Sequence, residues 1–156
     1  MIIDKQFALA AGSTIGRDHR MVPRNCQDAY GIASGSGCTV GVVTDGCGSS
    51  AYSEVGARIG ARLVSRAVKS EYETVRAIQE LRWPRIQKMV LRALEDLADE
   101  MDDNLAKVVN DYFLFTILGQ VMDSTEMTVF ALGDGIIMVN DEQTCLLYTS
   151  PSPRDS

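Results

Sequence analysis

The stretch Val42-Val43-Thr44-Asp45-Gly46-Cys47-Gly48-Ser49-Ser50 decides the fold. A β-branched apolar run ends in a carboxylate. Two glycines follow with one residue between them, and paired serines open a helical pattern. A buried strand thus delivers Asp45 to its own end, next to backbone that can turn sharply. An acid so placed at the rim of a sheet can ligate a metal or serve in catalysis. Taken alone, the stretch reads more simply as an Asp in a glycine-rich turn ahead of a helix.

Upstream, Ala29-Tyr30-Gly31-Ile32-Ala33 reads as a strand and Ser34-Gly35-Ser36-Gly37 as a turn. Cys38 to Val43 forms the returning strand. This hairpin brings Asp28, at the start of one strand, beside Asp45, at the end of its partner. Further upstream, residues 6–16 predict a first strand, weakened by Gly12 and Gly16. The loop between holds Arg17, Arg20, Arg24, Pro23 and His19, the one histidine of the chain. Arginine can clamp a phosphate through two hydrogen bonds, and a histidine can donate a proton to a leaving group or contact phosphate. The plainer reading is a solvated polar loop.

Downstream, a helix opens between Ser49 and Ser53, either of which can cap it, with Glu54 in its first turn. Val55, Ile59, Leu63 and Ala67 recur every four residues. Gly56, Ala57, Gly60 and Ala61 keep one side small enough to approach a sheet closely. The helical pattern continues over 71–82 through Tyr72, Val75, Ile78 and Leu81, and Trp83-Pro84 opens a new helix. Ile86, Met89, Val90, Ala93, Leu94, Leu97 and Met101 give its period. The acids at 95, 96, 99, 100, 102 and 103 read as a solvated outer face. The period then changes to strands over 113–121, 127–132, 136–139 and 145–148, with Gly133-Asp134-Gly135 between the second and third. Three strands, two or three helices and three or four hairpin-linked strands make an α+β domain with antiparallel sheets.

One domain over residues 4–148 accounts for the pattern. Thr149 to Ser156 is rich in Ser and Pro and should be an unstructured, non-native tail. The apolar share of 46% and charged share of 23% suit a globular domain. The net charge of −6 argues against nucleic acid as a partner, since that needs a basic footprint. No apolar run is long enough for a membrane span, and no signal-like segment opens the chain, so a cytoplasmic protein is expected. Cys26, Cys38, Cys47 and Cys145 contain no C-x-x-C pair, so a zinc knuckle is not expected. Asp28, Asp45 and Asp134 are three acids tied to glycine or strand ends. Together they suit a hard cation with oxygen ligands, Mg²⁺ or Mn²⁺ rather than zinc.

Asn25-Cys26-Gln27-Asp28-Ala29, Val43 to Ser49, Ser53-Glu54-Val55-Gly56-Ala57, Phe115-Thr116-Ile117-Leu118 and Leu132-Gly133-Asp134-Gly135 resemble the metal-dependent protein phosphatases of type 2C. With His19 ahead of them, they resemble the bacterial branch most. The resemblance implies a β-sandwich flanked by helix pairs, a four-layer αββα arrangement that is incomplete here at the C-terminal side. It implies hydrolysis of phosphoserine or phosphothreonine in protein substrates by a water activated at a dimetal centre of Mg²⁺ or Mn²⁺, with two or three ions. By position, Asp45 would bridge the metals, the Gly46 carbonyl would ligate one, Asp28 would bind directly or through water, and Asp134 would hold a further ion. Arg17, Arg20 or His19 would contact the phosphate, and Asp45 and His19 are the catalytic candidates. Gln27 stands where many members have Glu, which removes one ligand charge and leaves a non-catalytic binding or regulatory module as the alternative. The family takes further aspartates from a later part, so this chain alone is expected to bind metal weakly, to lack activity and to expose sheet edges.

Overall fold

The structure is a computed structural model that describes residues 9–14, 26–139 and 142–146. Strand β1 (Asp28–Gly35) and β2 (Cys38–Gly46) form the expected hairpin. Its turn residues Ser36 and Gly37 have φ of 57° and 90°, the left-handed pair that a two-residue hairpin needs to match strand twist. Helix α1 (Ser53–Val75), a 3₁₀ turn (Ile78–Glu80), α2 (Trp83–Asp99) and α3 (Leu105–Tyr112) follow. Then come β3 (Phe115–Met122), β4 (Met127–Leu132), β5 (Gly135–Val139) and β6 (Glu142–Leu146). The first four strands make one antiparallel sheet in the order β1-β2-β3-β4, and β5 pairs with β6. The α+β class with antiparallel sheets is as the period changes predicted.

The helices cover one face of the four-stranded sheet. Alternation sends Val40, Val42 and Val121 to that face, where they meet Ala61, Val64, Val68 and Tyr72 of α1. The small residues of α1 allow the contact. Side chains at Gly56 and Gly60 would run into the Tyr112 carbonyl and the Phe115 ring. The opposite face carries Tyr30, Ile32, Val43 and Val129, all exposed. Residues of β5 sit over it: a side chain added at Gly135 would touch Leu118, and Ile136 to Met138 line a cleft with Ile32, Val43 and Val129. Among the described residues this second layer has two strands and no helices.

Three local expectations change. Residues 9–14 form no strand; the remainder of the stretch 6–8 and 15–16 lies outside the described residues. The helix expected to run through 71–82 stops at Val75, because Arg76 turns left-handed with φ 63° and its N–H closes on the Tyr72 carbonyl at 2.7 Å. That break lets Ile78 and Leu81 turn into the core. Residues 105–112 form a helix the strand reading did not include. Asn104 caps it by accepting from the Lys107 N–H at 3.1 Å.

Candidate active site

The register of β1 and β2 pairs Asp28 with Asp45 and, one step out, the Gly46 N–H donates to the Gln27 carbonyl at 3.2 Å. The two acids therefore project side by side from the same sheet face. Both are exposed at the mouth of a cleft of about 880 Å³ lined also by Cys26, Cys47, Gly48 and Thr116, and Asp134 lines the same cleft. The hairpin argument placed Asp28 and Asp45 together, and the structure brings them together.

Each neighbour of Asp45 has a different task. Thr44 faces α1, and its hydroxyl donates to the Ala57 carbonyl at 2.9 Å. Gly46 is buried against the start of α1: a Cβ there would lie 2.9 Å from the Cβ, O and Oγ of Ser53. Only glycine lets the helix approach that closely. The Ser53 hydroxyl donates to the Cys47 carbonyl at 2.9 Å, and the Gln27 amide donates to the Ser53 Oγ at 2.9 Å and to the Cys47 carbonyl at 3.4 Å. The Cys47 N–H reaches across to the Leu114 carbonyl at 2.9 Å. The loop after Asp45 is thus tied to β1, β3 and α1.

These contacts correct one sequence expectation and give Gln27 a second task. Neither Ser49 nor Ser53 caps α1; the cap is Tyr52, which makes no side-chain cap bond, and its N–H donates to the Asp111 carbonyl at 2.8 Å. Ser53 is occupied as a brace instead. Gln27 lines the same cleft, but it is largely buried and its side-chain amide is engaged by Ser53 and the Cys47 carbonyl.

Asp134 reaches the cleft through Gly133, where a φ of 104° and the 2.8 Å that a Cβ would leave to the Thr116 side chain both demand glycine. Thr116 itself lies opposite Asp45 in the β2–β3 register and lines the cleft. It was not singled out from the sequence, although the β3 register follows once Phe115 and Gly46 are paired. Hydrogen bonds from the Ser49 hydroxyl and then from its N–H hold the Cys47 thiol below its ordinary range. Arg17, His19 and Arg20 lie outside the described residues.

The donor set among the described residues suits a hard cation in kind: carboxylate oxygens from Asp28, Asp45 and Asp134 and a backbone carbonyl at Gly46. Among the described residues, however, no three acidic, histidine or cysteine side chains come close enough to enclose an ion. The close pair is Asp28 with Asp45, which fits an ion that keeps much of its water.

The fold and cleft define an α+β protein with an acid-rimmed site at one end of an antiparallel sheet. The sequence pattern of protein phosphatase 2C matches residues 15–154, and the chain belongs to that family. No curated protein matches it in sequence. Family membership carries a phosphatase-type function acting on phosphoproteins in general terms. No helix among the described residues is long and apolar enough to cross a membrane.

Proposed function

We propose that the cleft at the open end of β1 and β2 belongs to a metal-dependent phosphatase that removes phosphate from serine or threonine side chains of proteins. The observation that carries this reading is the Asp28–Asp45 register pair at the mouth of an open cleft, in a chain of the type 2C family. Asp45 and Asp28 would hold Mg²⁺ or Mn²⁺, with the Gly46 carbonyl and, further off, Asp134. When bound, such ions polarise the phosphoryl group and bring the pKa of a coordinated water toward neutrality.

The chain's own residues supply the frame. Gln27 and Ser53 fix the loop that follows Asp45, so the carboxylate and the Gly46 carbonyl keep their relative positions. The cleft is wide and open on one side, which suits a phosphorylated segment of a protein rather than a small enclosed ligand. Arg17, Arg20 and His19 are assigned to the phosphate by the resemblance alone, and His19 would serve as proton donor there.

The test is hydrolysis of a phosphothreonine peptide by the complete reading frame that carries this chain. Release of phosphate should require Mn²⁺ or Mg²⁺, and Asp45→Asn should lower it by about 100-fold or more. Undiminished release from Asp45→Asn, or release unaffected by chelation, would contradict the assignment.

A further inference from the structure

We propose that Cys26 and Cys47 form a reversible disulfide across the open end of the β1–β2 pair, making it a redox modification site.

The register carries the argument. Asp28 pairs with Asp45, and the Gly46 N–H to Gln27 carbonyl bond extends the pairing one step further. The next facing positions are 26 and 47. Cys47 lies one residue past β2, and its N–H still donates to the Leu114 carbonyl at 2.9 Å. Gln27 and Gly46 share that one bond just beyond the paired strands; where an antiparallel pair continues past such a bond, the next facing Cα atoms lie about 4.5 Å apart. A disulfide needs Cα atoms roughly 4.4–6.8 Å apart, so this step is within range. Facing residues also point to the same side, and both cysteines line the cleft with Asp28 and Asp45.

Both sulfurs are thiols, and both are partly exposed. Each is held by weak contacts that rotation of one side chain would release. The Cys26 sulfur meets the Ser13 hydroxyl at 2.9 Å and the Thr14 carbonyl at 3.5 Å, and the Cys47 sulfur meets the Ser49 hydroxyl at 3.1 Å. Cys38 is the internal contrast. It is 1% exposed at the other end of the hairpin, opposite Gly35, and has no cysteine facing it.

The chemistry uses hydrogen peroxide as oxidant. The Cys47 thiolate attacks one peroxide oxygen, the O–O bond breaks, hydroxide leaves and a sulfenic acid forms. The Cys26 thiol then attacks that sulfur, the S–O bond breaks, and the hydroxyl leaves as water with the proton from Cys26. Two thiols and one peroxide give one disulfide and two waters. An external dithiol reverses the step by exchange. The crosslink would join the two strands just beyond their acids.

The experiment treats the whole chain with hydrogen peroxide, alkylates the remaining thiols after unfolding, and maps the non-reduced peptides by mass spectrometry after chymotryptic cleavage. The expected result is a linked Cys26–Cys47 peptide that dithiothreitol dissolves, with Cys38 still alkylated. In Cys26→Ser, Cys47 should instead be trapped by dimedone as the sulfenic acid. Alkylation of both Cys26 and Cys47 after peroxide would overturn the proposal. So would a bond from Cys47 to Cys145 or to a second chain, or Cys47 advancing to the sulfinic acid while Cys26 stays a thiol. The readout is a covalent bond, so it is independent of whether the cleft binds metal.

Discussion

Thr44, Asp45 and Gly46 are consecutive, yet they reach α1, the cleft and the base of Ser53 in turn. Position 46 is the least tolerant of the three. A methyl there must displace both the backbone and side chain of Ser53, so Gly46→Ala should destabilise the chain by about 1–3 kcal/mol in urea unfolding. An unchanged midpoint would show that the start of α1 can yield. A second residue-scale prediction concerns Tyr72 and Asp123. Burial, and then the hydrogen bond its hydroxyl donates to Asp123 at 3.1 Å, push the Tyr72 pKa up to about 12. The folded chain therefore keeps a proton that the unfolded chain releases at its ordinary, lower value. The stabilisation is complete below about pH 10 and is lost as pH rises toward about 12. Urea unfolding should show wild type losing more stability than Tyr72→Phe over that interval; parallel losses would contradict it. Asp123 titrates in the opposite direction. Burial pushes its carboxyl up, but bonds from the Thr125 hydroxyl and N–H and from the Glu126 N–H outweigh this and hold it low. Asp45 was legible in the sequence because a strand, an acid and two glycines are contiguous there. The bracing role of Gln27 was not legible, because it depends on a serine 26 positions away.

At the scale of elements, α1 and the start of α2 are joined by a buried acid. Glu71 is 1% exposed; its carboxylate accepts from Arg82 Nε at 2.5 Å and forms an ion pair with Arg85 Nε at 3.3 Å. Both arginines are about half exposed, so the pair is asymmetric. Removing both arginines leaves a buried carboxylate without its charges, which costs about 3–5 kcal/mol. Glu71→Gln leaves two arginines that water can solvate, and should cost distinctly less. Urea unfolding of Arg82→Ala/Arg85→Ala against Glu71→Gln checks the order, and the reverse order would refute it. The strands and the onset of α2 were legible from period and punctuation. The break at Arg76 was not, because Tyr72, Val75, Ile78 and Leu81 keep a spacing that a helix also satisfies. Only the left-handed residue lets Ile78 and Leu81 meet the core from a turn. Helix α3 was hidden for the opposite reason: it is eight residues long, and its cap, Asn104, follows the acidic run that closes α2.

Among the described residues, helices cover one face of the four-stranded sheet, and only β5 and β6 lie over the other. Tyr30, Ile32, Val43, Met127 and Val129 are each more than 40% exposed on the sheet face away from the helices, as are Ile136 and Met138 of β5. A continuous apolar face of this kind favours self-association. Sedimentation velocity should show the chain associating as its concentration rises, and Val129→Lys should weaken that association with the thermal midpoint little changed. A strictly monomeric chain that excludes an apolar dye would contradict this.

The central claim is that Asp28 and Asp45 are placed to share a divalent cation. The direct measurement is Mn²⁺ binding to this chain, followed by water-proton relaxation, in wild type, Asp45→Asn and Asp28→Asn, with Glu100→Gln, at the exposed residue that follows α2, as control. Wild type and the control should show the same weak, saturable binding. Asp45→Asn should lose about tenfold or more in affinity, at least 1.4 kcal/mol, with a smaller loss in Asp28→Asn. Equal binding by wild type and Asp45→Asn, or no saturable binding at all, would contradict the account.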